Sequence, residues 1–196
     1  KDISIILDEV KVSLFFSPQG YAVTKGILPL IKEAKETIDV SIFFLTHNKI
    51  SKALVDAKER GVKVRVILDA TAATNGYSKH NYLRENGIDV KVESWGGKMH
   101  MKAAVIDSKH IIVGSMNWTL AGEKKNDENT ILINNSPELG VQLFLFFEKM
   151  WNSIPDSYLQ KDPFPESIES GTSCYDLIDN DFDDIIDANE KECLKT

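Results

Sequence analysis

Within residues 100–117 stand His100, Lys102, Asp107, Gly114, Ser115 and Asn117, and between them run short apolar stretches. His100 and Lys102 are two apart at the head of Ala103 to Ile106, a run that predicts a strand. Side chains two apart on a strand share a face, so an imidazole and an ammonium project together from its mouth. Ser108 to His110 predicts a tight turn and Ile111 to Val113 a second short strand. Gly114, Ser115, Met116 and Asn117 then bring small and amide-bearing residues back towards the start of the first strand. An imidazole that attacks or protonates, a fixed cation and an amide donor suit a phosphate diester. One group attacks phosphorus, and the others hold the non-bridging oxygens.

The flanking chain supplies elements to hold such a set. Lys11 to Phe16 predicts a first strand, ending at Ser17-Pro18-Gln19-Gly20. A helical stripe runs over Gly26 to Ile38 with Pro29 in its first turn, followed by a buried strand at Val40 to Leu45. Lys49 to Arg60 is amphipathic and closes at Gly61, and Val62 to Leu68 is the next strand, with Lys63 and Arg65 on its outer face. A short helix over Ser78 to Asn86 stops at Gly87; strands follow at Ile88 to Glu93 and Thr130 to Ile133, and a core helix at Leu139 to Ile154, part of it a candidate subunit contact. The alternation predicts an α/β fold, a mostly parallel central sheet with helices on both faces. The expected organisation is a catalytic domain over 1–155, a linker over 156–173 and a small irregular acidic tail over 174–196.

The net charge of −7 divides unevenly along the chain. Residues 1–155 carry 20 Lys and Arg against 18 Asp and Glu, whereas residues 156–196 carry 3 against 12. The body is compatible with a polyanionic substrate that the tail would repel. Cys174 and Cys193, the only 2 cysteines, are both in the tail, which argues against a thiol nucleophile or a cysteine-ligated metal in the body. No apolar run reaches the roughly 18 residues of a membrane span. No signal peptide is visible, and a start at Lys1 leaves a processed N-terminus open.

The six motif positions, with Glu128 downstream as an acidic partner, resemble the His-Lys-Asp motif of the phospholipase D superfamily. The resemblance extends over roughly residues 11–152 and includes Phe16-Ser17-Pro18, Ile50 to Leu54 and Arg60 to Val66 followed by Asp69. It implies a metal-independent phosphodiesterase with two copies of the motif. One His attacks phosphorus and forms a phosphohistidine; the other protonates the leaving oxygen and then activates water. Lys102 and Asn117 would grip the phosphoryl oxygens, and Glu128 or Asp107 would orient the imidazole. Glu128 is the preferred partner, since Asp107 falls after the strand. Ser115 would assist the phosphate or the partner motif, because it lacks a nucleophile elbow. His47, His80 and His110 lack a following Lys at the right spacing and read as structural, His80 on a surface helix and His110 exposed in its turn. One motif per chain then implies a two-fold homodimer with a composite site, as in the short bacterial-endonuclease-like and Zucchini-like members.

Three substrate readings follow. The first is an endonuclease on DNA or RNA, with Lys98, Lys124 and Lys125 on the backbone and either Lys63 and Arg65 or Lys79 and Arg84 extending the track. The second is a phospholipase, with Trp95, Met99 and Met101 as an apolar loop near His100. The third is a non-catalytic nucleic-acid-binding module. In the tail, Asp179, Asp181, Asp183, Ile185, Asp187 and Glu190 match the ligand spacing of a calcium loop, with Asp184 where Gly is expected. The pattern resembles the disulfide-closed Asp-rich repeats of thrombospondin type 3, which implies a Cys174–Cys193 bridge and structural calcium. Both together place the protein outside the cell, in the periplasm or in the envelope; without them a cytoplasmic location is the alternative.

Overall fold

The computed structural model describes residues 3–93 and 98–164, and in the tail Cys174, Tyr175, Leu177, Asp179, Ile185, Ile186, Cys193 and Leu194. Its body is an open 8-stranded sheet in the order β1-β2-β8-β7-β6-β3-β4-β5. In chain order the elements are β1 (Ile3–Leu7), β2 (Val10–Ser17), a π-helical turn (Ala22–Ile27) leading into α1 (Leu28–Glu33), β3 (Thr37–Ile42) and α2 (Asn48–Glu59). There follow β4 (Lys63–Leu68), α3 (Ala70–Ala73), α4 (His80–Glu85), β5 (Asp89–Val92), β6 (Lys102–Ile106), β7 (His110–Gly114), α5 (Leu120–Lys124), β8 (Glu128–Asn134) and α6 (Pro137–Ser153).

The α/β class and the helices on both faces stand, but the sheet is mixed rather than mostly parallel. Only β3–β4 and β4–β5 pair in parallel. The remaining neighbours are antiparallel, and of these β1–β2 and β6–β7 are joined by short turns, which only antiparallel strands allow. The turn from β6 to β7 shows this. Asp107 and Ser108 sit at φ 49° and 52°, the left-handed pair a tight hairpin needs, and Lys109 N–H closes on Ile106 O at 3.1 Å.

Alternation along the strands sorts the core. Ile38, Val40, Ile42, Val64, Val66, Leu68, Ala104 and Ile106 face the cluster that α1 and α2 cover. On the opposite face Ile67 packs with Phe147 of α6 and with Met99, Ile154 and Tyr158. That second face corrects the reading of Arg65 as an outer, substrate-facing cation. Arg65 is 6% exposed, bonds Asp39 at 2.7 Å and pairs with Glu148, and lies under Phe147 and Trp151. Leu139, Val141, Leu145 and Phe146 form the exposed side of α6.

The helix expected over Gly26 to Ile38 ends at Glu33, and the next strand starts at Thr37. The cause is distant in sequence. The Asp107 carboxylate accepts the N–H groups of Lys35, Glu36 and Thr37 and turns the chain out of the helix. The stretch expected to begin a linker is also folded onto the body over its described part. Tyr158 is buried, Asp156 pairs with Lys91, and Asp162 takes both His80 and Arg84. His80 is therefore buried rather than on a surface, and Arg84 is not part of a substrate track. His110 is half-buried and accepts Asn135 N–H, and burial, with Lys109 beside it, pushes its imidazole down.

Candidate active site

The site lies at the edge of the sheet where β2 and β7 end and β6 and β8 begin. Its floor is Phe43, one residue past β3. Phe43 N–H donates to Met101 O at 2.9 Å, which extends the β3–β6 pairing to the residue before Lys102. The His100 ring packs on Phe43 with centroids 4.5 Å apart, and the Lys102 ammonium stands 4.8 Å from the same ring. Lys102 Nζ also donates to His100 O at 2.8 Å. One aromatic ring thus positions both groups that the His-x-Lys spacing predicts. His100 is exposed and its ring nitrogens have no hydrogen bond among the described residues, whereas Lys102 is 7% exposed.

A buried ammonium pays a desolvation penalty, and burial holds the Lys102 amine below the usual lysine range. The negative fields of Glu128 and Asp69 oppose that effect. Glu128 opens β8 and is held by the Ser115 hydroxyl and by Asn126 Nδ2, the latter at 3.2 Å. Ser115 in turn accepts Asn129 N–H at 3.1 Å. The two strands approach closely enough here that a Cβ on Gly114 would lie 2.2 Å from Asn129 O, so only glycine fits. Ser115 therefore positions Glu128. Within one chain Glu128 makes no hydrogen bond to His100.

Asn117 arrives from the other half of the motif. Trp118 is fully buried, its N–H donates to Phe44 O at 3.0 Å, and its carbonyl accepts Thr46 and His47 N–H. This pairing sets Asn117 beside the Phe43–Leu45 segment, and its Oδ1 is buried without a hydrogen-bond partner. A buried acceptor without a donor is uncommon, and only a donating group could satisfy it. Thr119 caps α5 by accepting Gly122 N–H at 2.9 Å, and a Cβ on Gly122 would strike Asn117 O.

Asp107 is the site residue that the structure moves away. It follows the last residue of β6, about 17 Å along the strand from Lys102 at ~3.4 Å per residue. Burial alone would raise its carboxyl; the backbone N–H groups of Glu36, Thr37 and Lys35 hold it below the ordinary value instead. In this structure its carboxylate serves the backbone turn at Lys35 to Thr37. Lys98 donates to the Thr71 hydroxyl. Lys124 lies 3.3 Å from Glu123 Oε1, and Lys125 is exposed at the end of α5. Met99 is buried and Met101 packs with the α6 cluster, so neither is an apolar tip; Trp95 lies outside the described residues.

Two further features escaped the sequence reading. Asp69 caps α3 through Thr71 N–H, and its other oxygen accepts Met99 N–H at 2.9 Å, fixing the residue before His100. Glu93 converges on the same N–H. Burial first and the Asp69 charge second push its carboxyl up to about 7. Behind Asn117, His47 Nε2 and Glu123 Oε2 form a buried pair at 3.2 Å that ties α2 to α5. The signal for Asp69 was present, a carboxylate directly after a strand. The other contacts join residues 76 apart or cross the sheet, and local spacing does not reveal them.

In the tail Cys174 and Cys193 are bonded, as the resemblance implies. Asp181, Asp183, Asp187 and Glu190 lie outside the described residues. Among the described residues no group of three or more potential ligands could hold a metal ion, and no helix is long and apolar enough to cross a membrane.

Comparison with known proteins agrees with this geometry. Residues 27–151 match the family model described as cardiolipin synthase, PLD-like domain. A phospholipase D of Rickettsia prowazekii is 37% identical over 129 residues, covering 66% of this chain and 62% of that protein. The human mitochondrial cardiolipin hydrolase is 33% identical over 143 residues, 72% of this chain and 56% of the human one. The chain thus spans about three fifths of the length of these relatives. Among solved structures, Nuc from Salmonella typhimurium, a phospholipase D family member, superposes with a TM-score of 0.72 at 34% identity, covering 75% of this chain and 97% of Nuc. With His100, Lys102, Ser115, Asn117 and Glu128 gathered at one sheet edge inside the matched stretch, the chain belongs to the phospholipase D superfamily.

Proposed function

We propose that the protein is a metal-independent phosphodiesterase, foremost an endonuclease on DNA or RNA, working through a composite site formed by two copies of the chain. The observation that carries this reading is the pairing of an exposed, unbonded His100 with a buried Lys102 ammonium on one Phe43 ring. His100 is free to attack, while Lys102 is fixed where charge develops.

In the first step a His100 nitrogen forms a bond to phosphorus as the P–O bond to the leaving group breaks. The departing oxygen takes a proton from the second copy's His100. Water then gives a proton back to that imidazole and attacks phosphorus, breaking the P–N bond and restoring the enzyme. Lys102 and the Asn117 side-chain Nδ2–H groups of each copy donate to the non-bridging oxygens. Glu128, held by Ser115, orients the opposite imidazole across the two-fold axis, which fits its lack of a His partner within one chain. Lys98, Lys124 and Lys125 add sequence-independent contacts to a phosphate backbone.

The second reading is hydrolysis of phospholipid head groups. It is favoured by the exposed side chains of Phe16 and Leu120, 47% and 62% accessible, near the same edge. The organisation into a body, a connecting segment and a tail is carried forward from the sequence, as is calcium at Asp179, Asp181, Asp183, Ile185, Asp187 and Glu190. The bridged cysteines support an oxidising compartment: medium, periplasm or envelope.

The test is turnover of labelled single- and double-stranded DNA, RNA, cardiolipin and phosphatidylcholine in EDTA, with His100→Ala alongside. Nucleic-acid cleavage lost in the variant supports the nuclease. Cleavage of lipid alone transfers the assignment to the second reading. Activity retained by His100→Ala overturns the mechanism.

A further inference from the structure

The site is assembled from two stretches of chain. Phe43 carries the ring on which His100 and Lys102 rest, and the chain continues from it to the start of α2. Asn117 opens the other stretch, which runs through Trp118 and Thr119 into α5. His47 joins the two twice. Its backbone N–H donates to Trp118 O at 3.0 Å, and its Nε2 lies 3.2 Å from Glu123 Oε2. Glu123 N–H in turn donates to Thr119 O at 3.1 Å, and Thr119 N–H to Asn117 O at 2.8 Å. A line of bonds therefore leads from the His47 side chain to Asn117.

Burying these two side chains is unfavourable by itself. His47 is 5% exposed and Glu123 3%, and the His47 Nδ1 atom is buried without a hydrogen-bond partner. Glu123 Oε1 is buried without a hydrogen bond as well, with Lys124 Nζ 3.3 Å away. Two apolar side chains of similar shape would hold α2 against α5 without that cost. What they would not supply is direction. A hydrogen bond constrains both distance and angle, and a buried polar contact specifies one arrangement of the elements that it joins. The place where this pair spends stability on direction is the joint between the two halves of the active site.

We propose that His47 and Glu123 are positioning residues of the phosphodiesterase site. Their bond sets the spacing between the Phe43 stretch, with His100 and Lys102 on it, and Asn117, so that the Lys102 ammonium and the Asn117 Nδ2–H groups reach one phosphoryl group together. This deepens the phosphodiesterase reading and rests on it, whichever diester is the substrate. The pair touches no reacting atom and acts through Asn117. Two donors stabilise developing charge only when both are in reach at once, and a misplacement of about 1 Å can cost on the order of 10²-fold in rate.

The test is steady-state hydrolysis of bis(p-nitrophenyl) phosphate by the full chain, read beside thermal melting and the NMR signal of the Asn117 side-chain amide, which its loss in Asn117→Ala assigns. His47→Leu with Glu123→Met removes the bond and keeps the packing. This variant is expected to melt close to the parent, to keep KM, to lose about tenfold in kcat and to displace the amide signal. In an Asn117→Ala background the same two substitutions are expected to lower kcat no further, because groups that act through one another are not additive. His47→Gln, which can still donate to Glu123, is expected to recover most of kcat. Glu123→Gln keeps the shape but weakens the bond, and it takes the place of the apolar pair should that variant not fold, with a loss of about threefold in kcat expected. An unchanged kcat with the amide signal in place overturns the proposal, as does an equal loss on top of Asn117→Ala. Absence of turnover by the parent counts against the phosphodiesterase itself. The amide signal then decides the positioning claim alone: its displacement supports the claim, and an unmoved signal ends it.

Discussion

Replacing Glu93 with glutamine will stabilise the protein at pH 8 and do so far less at pH 5. Glu93 and Asp69 both face Met99 N–H, and the Glu93 Oε2 atom is buried without a partner. Burial and the Asp69 charge raise its carboxyl from 4.5 to about 7 in the folded chain. The folded state therefore binds the proton more tightly than the unfolded state. Its contribution is fully present below about 4.5, falls as pH rises, and is lost once pH passes about 7. At about 1.4 kcal/mol per pKa unit the upper figure is ~3 kcal/mol. Glu93 keeps partial solvent contact, and screening reduces this to about 1–2 kcal/mol. Glutamine cannot ionise, and its amide N–H can donate to Asp69. The assay is urea unfolding of both proteins at pH 5 and pH 8 and fixed protein concentration, with the slope checked for constancy. Histidines titrating in that interval cancel in the difference. Parallel stability curves for the two proteins across pH 5 to 8 would refute the reasoning.

Asp107→Ala removes the carboxylate that gathers three backbone N–H groups, and should cost about 2–3 kcal/mol with a melting temperature lower by roughly 5–10 °C, while cold turnover stays near the parent's. A hundredfold loss of turnover without destabilisation would return Asp107 to the chemistry. Lys102→Gln should lower kcat by about 10²–10³ with little change in KM, as removal of a charge-stabilising donor does; a rise in KM alone would make Lys102 a binding group. In the tail, calorimetric titration should detect calcium binding that Asp179→Asn with Asp181→Asn abolishes, and a flat titration of the parent would end the calcium reading.

How far the sequence could carry this account depended on distance along the chain. His100, Lys102, Ser115 and Asn117 were legible because strand alternation and a tight turn bring them together within eighteen residues. The demotion of Asp107 was legible in part, since it falls beyond the strand, yet its partners at Lys35 to Thr37 were not. Arg65 was misread because alternation gives the face but not what covers it, and α6 arrives from more than 70 residues away. The mixed sheet order escaped for the same reason. After β5 the chain passes β4 and lays β6 against β3, a choice fixed by packing of the whole sheet rather than by local pattern. β1, an apolar edge strand exposed along its length, and the buried His47–Glu123 pair carry no local signature either.

The central claim is that His100 bonds to phosphorus, and the most direct measurement is to trap that bond. The protein is mixed with an oligonucleotide labelled at the scissile phosphate, quenched in alkaline denaturant within milliseconds, and digested for mass spectrometry. The account predicts a phosphoryl adduct on the peptide holding His100, stable in base and lost in acid, and absent from His100→Ala. Cleavage that proceeds at full rate with no adduct on His100, or an adduct on another residue, would contradict it.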